Sequence, residues 1–134
     1  MPSPCVLICV ANPASCRNIV EAGMAIAARE QLPITVVSVL TSGLPTTEDG
    51  LTMQQLHNIT RRCGAELTVF FNDEPALTTA VYARQCNAAH IVAGVPGEDG
   101  MPKATPFVEM IHEMFPQIPM TLVTPDAETF LLDT

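Results

Sequence analysis

A doubly wound α/β fold with a parallel sheet is what this sequence predicts, and three observations predict it. Apolar runs of strand length recur along the chain, stretches with helical spacing of apolar residues lie between them, and the two kinds alternate strictly. Alternation of this kind implies right-handed crossovers and a parallel sheet covered by helices on both faces. Five strands and four helices are expected, with strand order 3-2-1-4-5, because the first and fourth runs are the most continuously apolar and suit central positions. One domain over residues 1–124 accounts for the alternation, and residues 125–134 are expected to form a C-terminal tail. The chain of 134 residues has the length of one ordinary domain.

The first strand is the run Cys5-Val6-Leu7-Ile8-Cys9-Val10, apolar at every position as a strand buried on both faces must be. Ser15 is the expected N-cap of a helix running to about Gln31, with Ile19, Gly23, Ile26 and Ala27 on its inner face. Ile34 to Leu40, rich in β-branched residues, is the second strand. Thr52-Met53-Gln54-Gln55 has capping-box form and opens a helix through Leu56, Ile59 and Cys63, closed by Gly64. Leu67 to Phe71 is the third strand. Asn72-Asp73-Glu74-Pro75 starts a helix carrying Leu77, Ala80, Val81 and Ala83, for which Asn87 is a left-handed stop. His90 to Gly94 is the fourth strand, and Val95 to Ala104 a loop. Thr105 caps a last helix with Pro106 at its first position and Phe107, Met110, Ile111 and Met114 as its apolar face. Ile118 to Val123 is the fifth strand.

Composition excludes several functions. Net charge is −8, and the six basic residues cluster nowhere beyond Arg61-Arg62, which argues against nucleic acid and against anionic membranes. No apolar run approaches the length of a bilayer span. No basic segment precedes the first apolar run, so a secretory signal is not expected. Five cysteines, odd in number and without a C-x-x-C, read as structural thiols in a reducing, cytoplasmic compartment. His57, His90 and His112 lack carboxylates at metal-ligand spacing, so no metal site is expected. A phospho-acceptor receiver domain would need clustered Asp after the first strand and another after the third. Ala11-Asn12 and Asn72-Asp73 supply at most one.

In an open parallel sheet the ligand crevice lies beyond the C-terminal strand ends, where strand order reverses. The candidate site is therefore Ala11 to Ser15, Val39 to Ser42 and Gly94 to Thr105. The stretch Cys9 to Ser15, the segment Gly64-Ala65-Glu66-Leu67, the run Ala83 to Gly94 and the closing strand resemble universal stress proteins. The resemblance spans about Cys5 to Thr124 and is nearest to the universal-stress domain of potassium-sensing histidine kinases.

That resemblance implies an adenine-nucleotide site. Members that bind ATP carry an Asp at the end of the first strand, and a G-x-x-G followed at a fixed distance by G-[S/T]. The glycine-rich amides and the next helix N-terminus surround the phosphates. Gly94-Val95-Pro96-Gly97 matches the G-x-x-G, while the later pair falls on Phe107-Val108 unless a shortened loop brings Ala104-Thr105 into its place. Ala11 stands where the Asp would be, and Glu98 and Asp99 add negative charge beside the glycines, with Lys103 the sole nearby offset. The nucleotide-binding set implied is Ala11, Asn12, Val39, Leu40, Gly94, Gly97, Lys103 and Thr105, with ATP or another adenine nucleotide bound weakly. The plainer reading of the same residues makes Gly94 and Gly97 turn glycines with positive φ, Thr105 a helix cap and Lys103 a solvated side chain.

No nucleophile elbow, Walker motif or dinucleotide fingerprint is present. The sequence thus reads as a non-catalytic stress-response or signalling module of universal-stress type; the alternative is a small nucleotide-binding hydrolase on the same fold, with Glu98 and Asp99 its only candidate carboxylates. A signalling-protein partner is expected, and so is a homodimer. In the order 3-2-1-4-5 the fifth strand lies at an edge, and dimerisation through Met120 to Thr124 is expected, with Phe130-Leu131-Leu132 covering a neighbour.

Overall fold

The computed structural model describes residues 3–10, 16–40, 47–98 and 101–132; residues 16, 47–53, 97–98 and 101–102 are described by backbone alone. The elements follow in the order β1 (Cys5–Cys9), α1 (Cys16–Glu30), β2 (Ile34–Leu40), α2 (Thr47–Cys63), β3 (Glu66–Phe71), α3 (Pro75–Gln85), β4 (Ala88–Gly94), β5 (Gly97–Glu98), β6 (Met101–Pro102), α4 (Pro106–Met114), β7 (Met120–Val123) and β8 (Thr129–Leu132). The main sheet runs β3-β2-β1-β4-β7-β8. Its first five strands are parallel and stand in the predicted order.

Burial follows from this order. All five residues of β1 are buried, with Val6, Leu7 and Ile8 at 0% exposure. On one face Val6, Ile8, Val36 and Val92 pack against Ile19, Val20 and Ile26 of α1 and Leu56 of α2. On the other, Leu7, Cys9, Val37 and Ile91 pack against Ala80 and Ala83 of α3 and Val108 and Ile111 of α4. Helix ends are set by local chemistry. Gly64 has φ +70, and the Ala65 N–H bonds Thr60 O at 3.0 Å while the Gly64 N–H reaches Arg61 O, the double bond pattern of a Schellman stop. Asn87, at φ 57, stops α3 in the same left-handed conformation.

Two departures from the sequence expectation concern the helices. α2 begins at Thr47, five residues before the capping-box pattern. The start of α3 is as expected from Asn72 to Pro75: the Asn72 Oδ1 accepts from the Glu74 N–H at 2.9 Å, an Asx turn, and Pro75 opens the helix. The apolar faces assigned to α3 and α4 hold in part: Ala80, Ala83 and Ile111 are buried as expected, while Leu77, Val81, Met110 and Met114 are exposed and Thr79 and Val108 are buried beside them. Small and branched residues of both helices pack into the core, and the long side chains stay outside.

The largest correction concerns the sheet edge. Residues 129–132, assigned to a tail, form the sixth strand, antiparallel to β7 with Met120 opposite Leu132 and Val123 opposite Thr129. Thr124 organises the reversal: its N–H bonds Glu128 O at 2.9 Å, and its hydroxyl accepts from the Glu128 N–H at 3.2 Å. Ala127 takes φ 66 in the turn. Met120 to Val123 therefore do not present a free edge, and β8 stands where that edge was expected.

Deleting residues 127–134 should strip this cover. We expect a stability loss of roughly 2 kcal/mol from the apolar contacts of Phe130 and Leu132, read as a lower urea midpoint. Concentration-dependent self-association through the bared β7 edge should appear in sedimentation velocity. A truncated protein that stays monomeric at unchanged midpoint would show that β8 contributes nothing.

Candidate functional site

Strand order reverses between β1 and β4, so their C-terminal ends open the crevice that the fold offers a ligand. Here β1 continues into Val10, which is buried and bonds Val37 O at 3.0 Å. β2 ends in Val39 and Leu40, both half-buried, and Leu40 O accepts from the Asn72 N–H at 2.9 Å. β4 ends in Gly94, and the Val95 N–H bonds Val123 O at 2.9 Å. The connection that follows carries the antiparallel pair β5 and β6, closed by a 2.9 Å bond from the Lys103 N–H to Pro96 O. Topology thus gathers Val39, Leu40, Gly94, Gly97, Lys103 and Thr105 at one end of the sheet. Ala11 and Asn12 lie outside the described residues.

Two of these residues have structural work of their own. Gly94 does not adopt positive φ; its role is close approach, since an added Cβ would stand 2.5 Å from the Ile19 Cδ1 of α1. The turn role that the plainer reading gave it is replaced by a packing role at the crevice wall. Thr105 caps α4: its Oγ1 accepts from the Val108 N–H at 3.2 Å, and its carbonyl from the Glu109 N–H at 2.9 Å. Pro106 follows at the first helical position, as the sequence predicts. The cap occupies an oxygen lone pair and leaves the hydroxyl proton free to be donated outward. Lys103 is exposed.

A second polar constellation lies between α1 and the sheet. His90 is 2% exposed; its Nε2 sits 2.7 Å from Thr121 Oγ1, and its Nδ1 is 3.6 Å from Glu30 Oε1. Thr121 also lines a cavity of about 370 Å³ between α1 and the β7–β8 edge, with Ala22, Ile26, Arg29 and Leu131. Burial lowers the His90 pKa from its ordinary 6.5, against the opposing pull of the Glu30 carboxylate. The sequence hides this group, because Glu30, His90 and Thr121 are distant in the chain and meet only when β4 pairs with β7. Among the described residues, no three His, Cys, Asp or Glu side chains converge as a metal ion would require. No described helix is long and apolar enough to cross a membrane.

Solved structures similar to this one are universal stress proteins. A protein of that description from Pseudomonas aeruginosa aligns with TM-score 0.68 at 16% identity, over 94% of this chain, which spans 49% of that longer one. The universal stress protein from Archaeoglobus fulgidus aligns with TM-score 0.59 at 18% identity, covering 91% of this chain and 98% of its own. The A. fulgidus protein in complex with dAMP aligns with TM-score 0.56 at 17% identity, covering 92% of this chain and 98% of that one. No protein-family model matches the chain, and no curated protein matches its sequence.

Two expectations follow from the site residues. Thr105→Ala should lower stability by about 1 kcal/mol in the absence of any nucleotide, while Thr105→Ser should hold it, as equilibrium urea unfolding would read. The His90 effect depends on pH. The folded protein protonates His90 less readily than the unfolded chain does, so the neutral ring's contribution is complete above about pH 6.5 and is lost as pH falls below it. Unfolding midpoints taken from about pH 7.5 to about pH 5 should fall in the wild type, and His90→Gln should flatten part of that fall. Parallel profiles for the two proteins would remove His90 from the acid sensitivity.

On this geometry and these alignments, the fold is that of universal stress proteins: a parallel α/β sheet, here with an antiparallel strand at its edge.

Proposed function

We propose that the chain is a non-catalytic signalling module of universal-stress type, with a weak adenine-nucleotide site at the C-terminal ends of β1, β2 and β4. The observation that carries this reading is the shared fold, since a protein of the same fold is described in complex with dAMP. The crevice between β1 and β4 is where such a fold receives a ligand. Val39 and Leu40 would flank the base, and the Thr105 hydroxyl with the N-terminus of α4 would face the phosphates.

The sequence also argues that binding is weak. Ala11 brings no carboxylate to the nucleotide, and Glu98 and Asp99 follow directly on Gly97. Each negative charge a few ångströms from a phosphate costs on the order of 1 kcal/mol even at a water-like dielectric. Lys103, the only lysine in the chain, cannot offset both.

The free thiols of Cys5, Cys9, Cys63 and Cys86 suit a reducing cytoplasm as the place of action. The likeness to the universal-stress domain of potassium-sensing kinases favours a signalling protein as partner. A homodimer remains part of this reading, with its contact moved outward from Met120–Thr124 to the edge of β8, where Leu131 is exposed.

Calorimetric titration with ATP and with dAMP tests the site. Glu98→Gly combined with Asp99→Ser should tighten ATP by about ten-fold or more, on the charge argument above. Lys103→Ala should loosen it. Submicromolar ATP binding by the wild type would refute the weak site, and so would a double variant of unchanged affinity.

A further inference from the structure

The opposite end of the sheet carries a feature that the nucleotide reading does not use. Cys5 opens β1 and Cys86 is the C-cap of α3, and although 81 residues apart in sequence their Sγ atoms lie 3.6 Å apart. The Cys5 thiol also approaches Cys86 O at 3.4 Å, and the Cys86 thiol donates to Ala83 O at 3.7 Å. Both cysteines line an open cavity of about 430 Å³ at the N-terminal strand ends, together with Ser3, Thr35, Gly64 and Glu66. The cavity gives a small polar molecule a path to two sulfurs that are otherwise largely enclosed.

We propose that Cys5 and Cys86 form a hydroperoxide-reactive dithiol site, in which Cys5 is oxidised first and Cys86 resolves it to a disulfide.

The environment separates the two roles. Cys5 is held at about 7, chiefly by the hydrogen bond it shares with the Cys86 sulfur, with the Thr35 hydroxyl adding to it. Burial and the Glu66 carboxylate oppose that shift without cancelling it. The same contact, with burial, pushes the Cys86 thiol up. A thiolate beside a protonated thiol is the arrangement of an attacking and a resolving cysteine. Tyr82 of α3 is the other titratable group that feels both sulfurs. Cys9, on the same strand face but fully enclosed, is the contrast: burial pushes its thiol up to about 12, and it should be inert.

The chemistry balances. The Cys5 thiolate attacks the near oxygen of the hydroperoxide; an S–O bond forms, the O–O bond breaks, and the departing alkoxide or hydroxide takes a proton. Cys5 is now a sulfenic acid, and the peroxide has been reduced by two electrons. The Cys86 sulfur then attacks the Cys5 sulfur. An S–S bond forms, the S–O bond breaks, and the leaving oxygen departs as water with the Cys86 proton. Closing the gap from 3.6 Å to a disulfide length of about 2.05 Å asks for a small rotation at Cys86. Cys86 stands in the turn where Asn87 leaves the helix at φ 57, and β1 shifts register on β4 between Cys5 and Val6.

Reduced full-length protein treated with hydrogen peroxide, then alkylated and peptide-mapped by mass spectrometry, tests this. The wild type should give a Cys5–Cys86 linked peptide, with the intact mass lower by two hydrogens and restored by dithiothreitol. Cys86→Ser should lose the linked peptide completely and accumulate a Cys5 sulfenic acid that dimedone traps. Cys5→Ser should leave Cys86 alkylatable at the same peroxide dose. Wild-type Cys5 and Cys86 both remaining alkylatable would overturn the proposal. So would Cys86 oxidising equally well in Cys5→Ser, or a linked peptide joining other cysteines. The wild-type map needs no variant, so the proposal stays testable if either serine protein fails to fold.

Discussion

Strand β1 has no access to water on either face, and the rest of the molecule is arranged around that fact. Five consecutive peptide units are enclosed, and each N–H and C=O among them must find a partner or carry the cost of an unpaired buried dipole. Neither neighbouring helix layer can supply those bonds. They come from β2 on one side and β4 on the other, in parallel register, so β1 must be central and the connection from β3 to β4 must pass across it. A central strand reached from both sides is also a point of reversal in strand order. The same backbone requirement that buries Val6, Leu7 and Ile8 therefore opens the crevice at the far end of the strand.

The crevice wall shows how tightly packing and binding are joined. Gly94 ends β4 where Ile19 of α1 comes down onto the sheet, and a side chain there would have to move the end of Ile19 aside. A glycine that looks like part of a phosphate loop is also the residue that lets α1 close over β4. Thr105 is set by its helix: its hydroxyl accepts from the Val108 N–H and caps α4.

Much of this was legible in the sequence. The continuous apolar runs of β1 and β4 require central strands, and Thr105-Pro106, Gly64 and Asn87 signal their helix boundaries through fixed local geometry. What escaped was whatever depends on a neighbour. The four residues of β8 are too short and too mixed to declare themselves a strand without β7 beside them. The exposed side chains of Leu77, Val81, Met110 and Met114 look like core positions until the packing of α3 and α4 against their neighbours is known. The meeting of Cys5 with Cys86, and of His90 with Thr121, joins residues that no spacing rule connects.

The antiparallel turn of β8 also decides how the domain can be attached to anything else. Because β8 runs back along β7, Leu132 finishes opposite Met120, at the end of the sheet where β1 starts. Both ends of the described chain thus emerge on the same side, away from the crevice. A segment joined at either end, or a host protein in which this domain is inserted, would hold it like a bulb by its base, with the C-terminal strand ends turned outward.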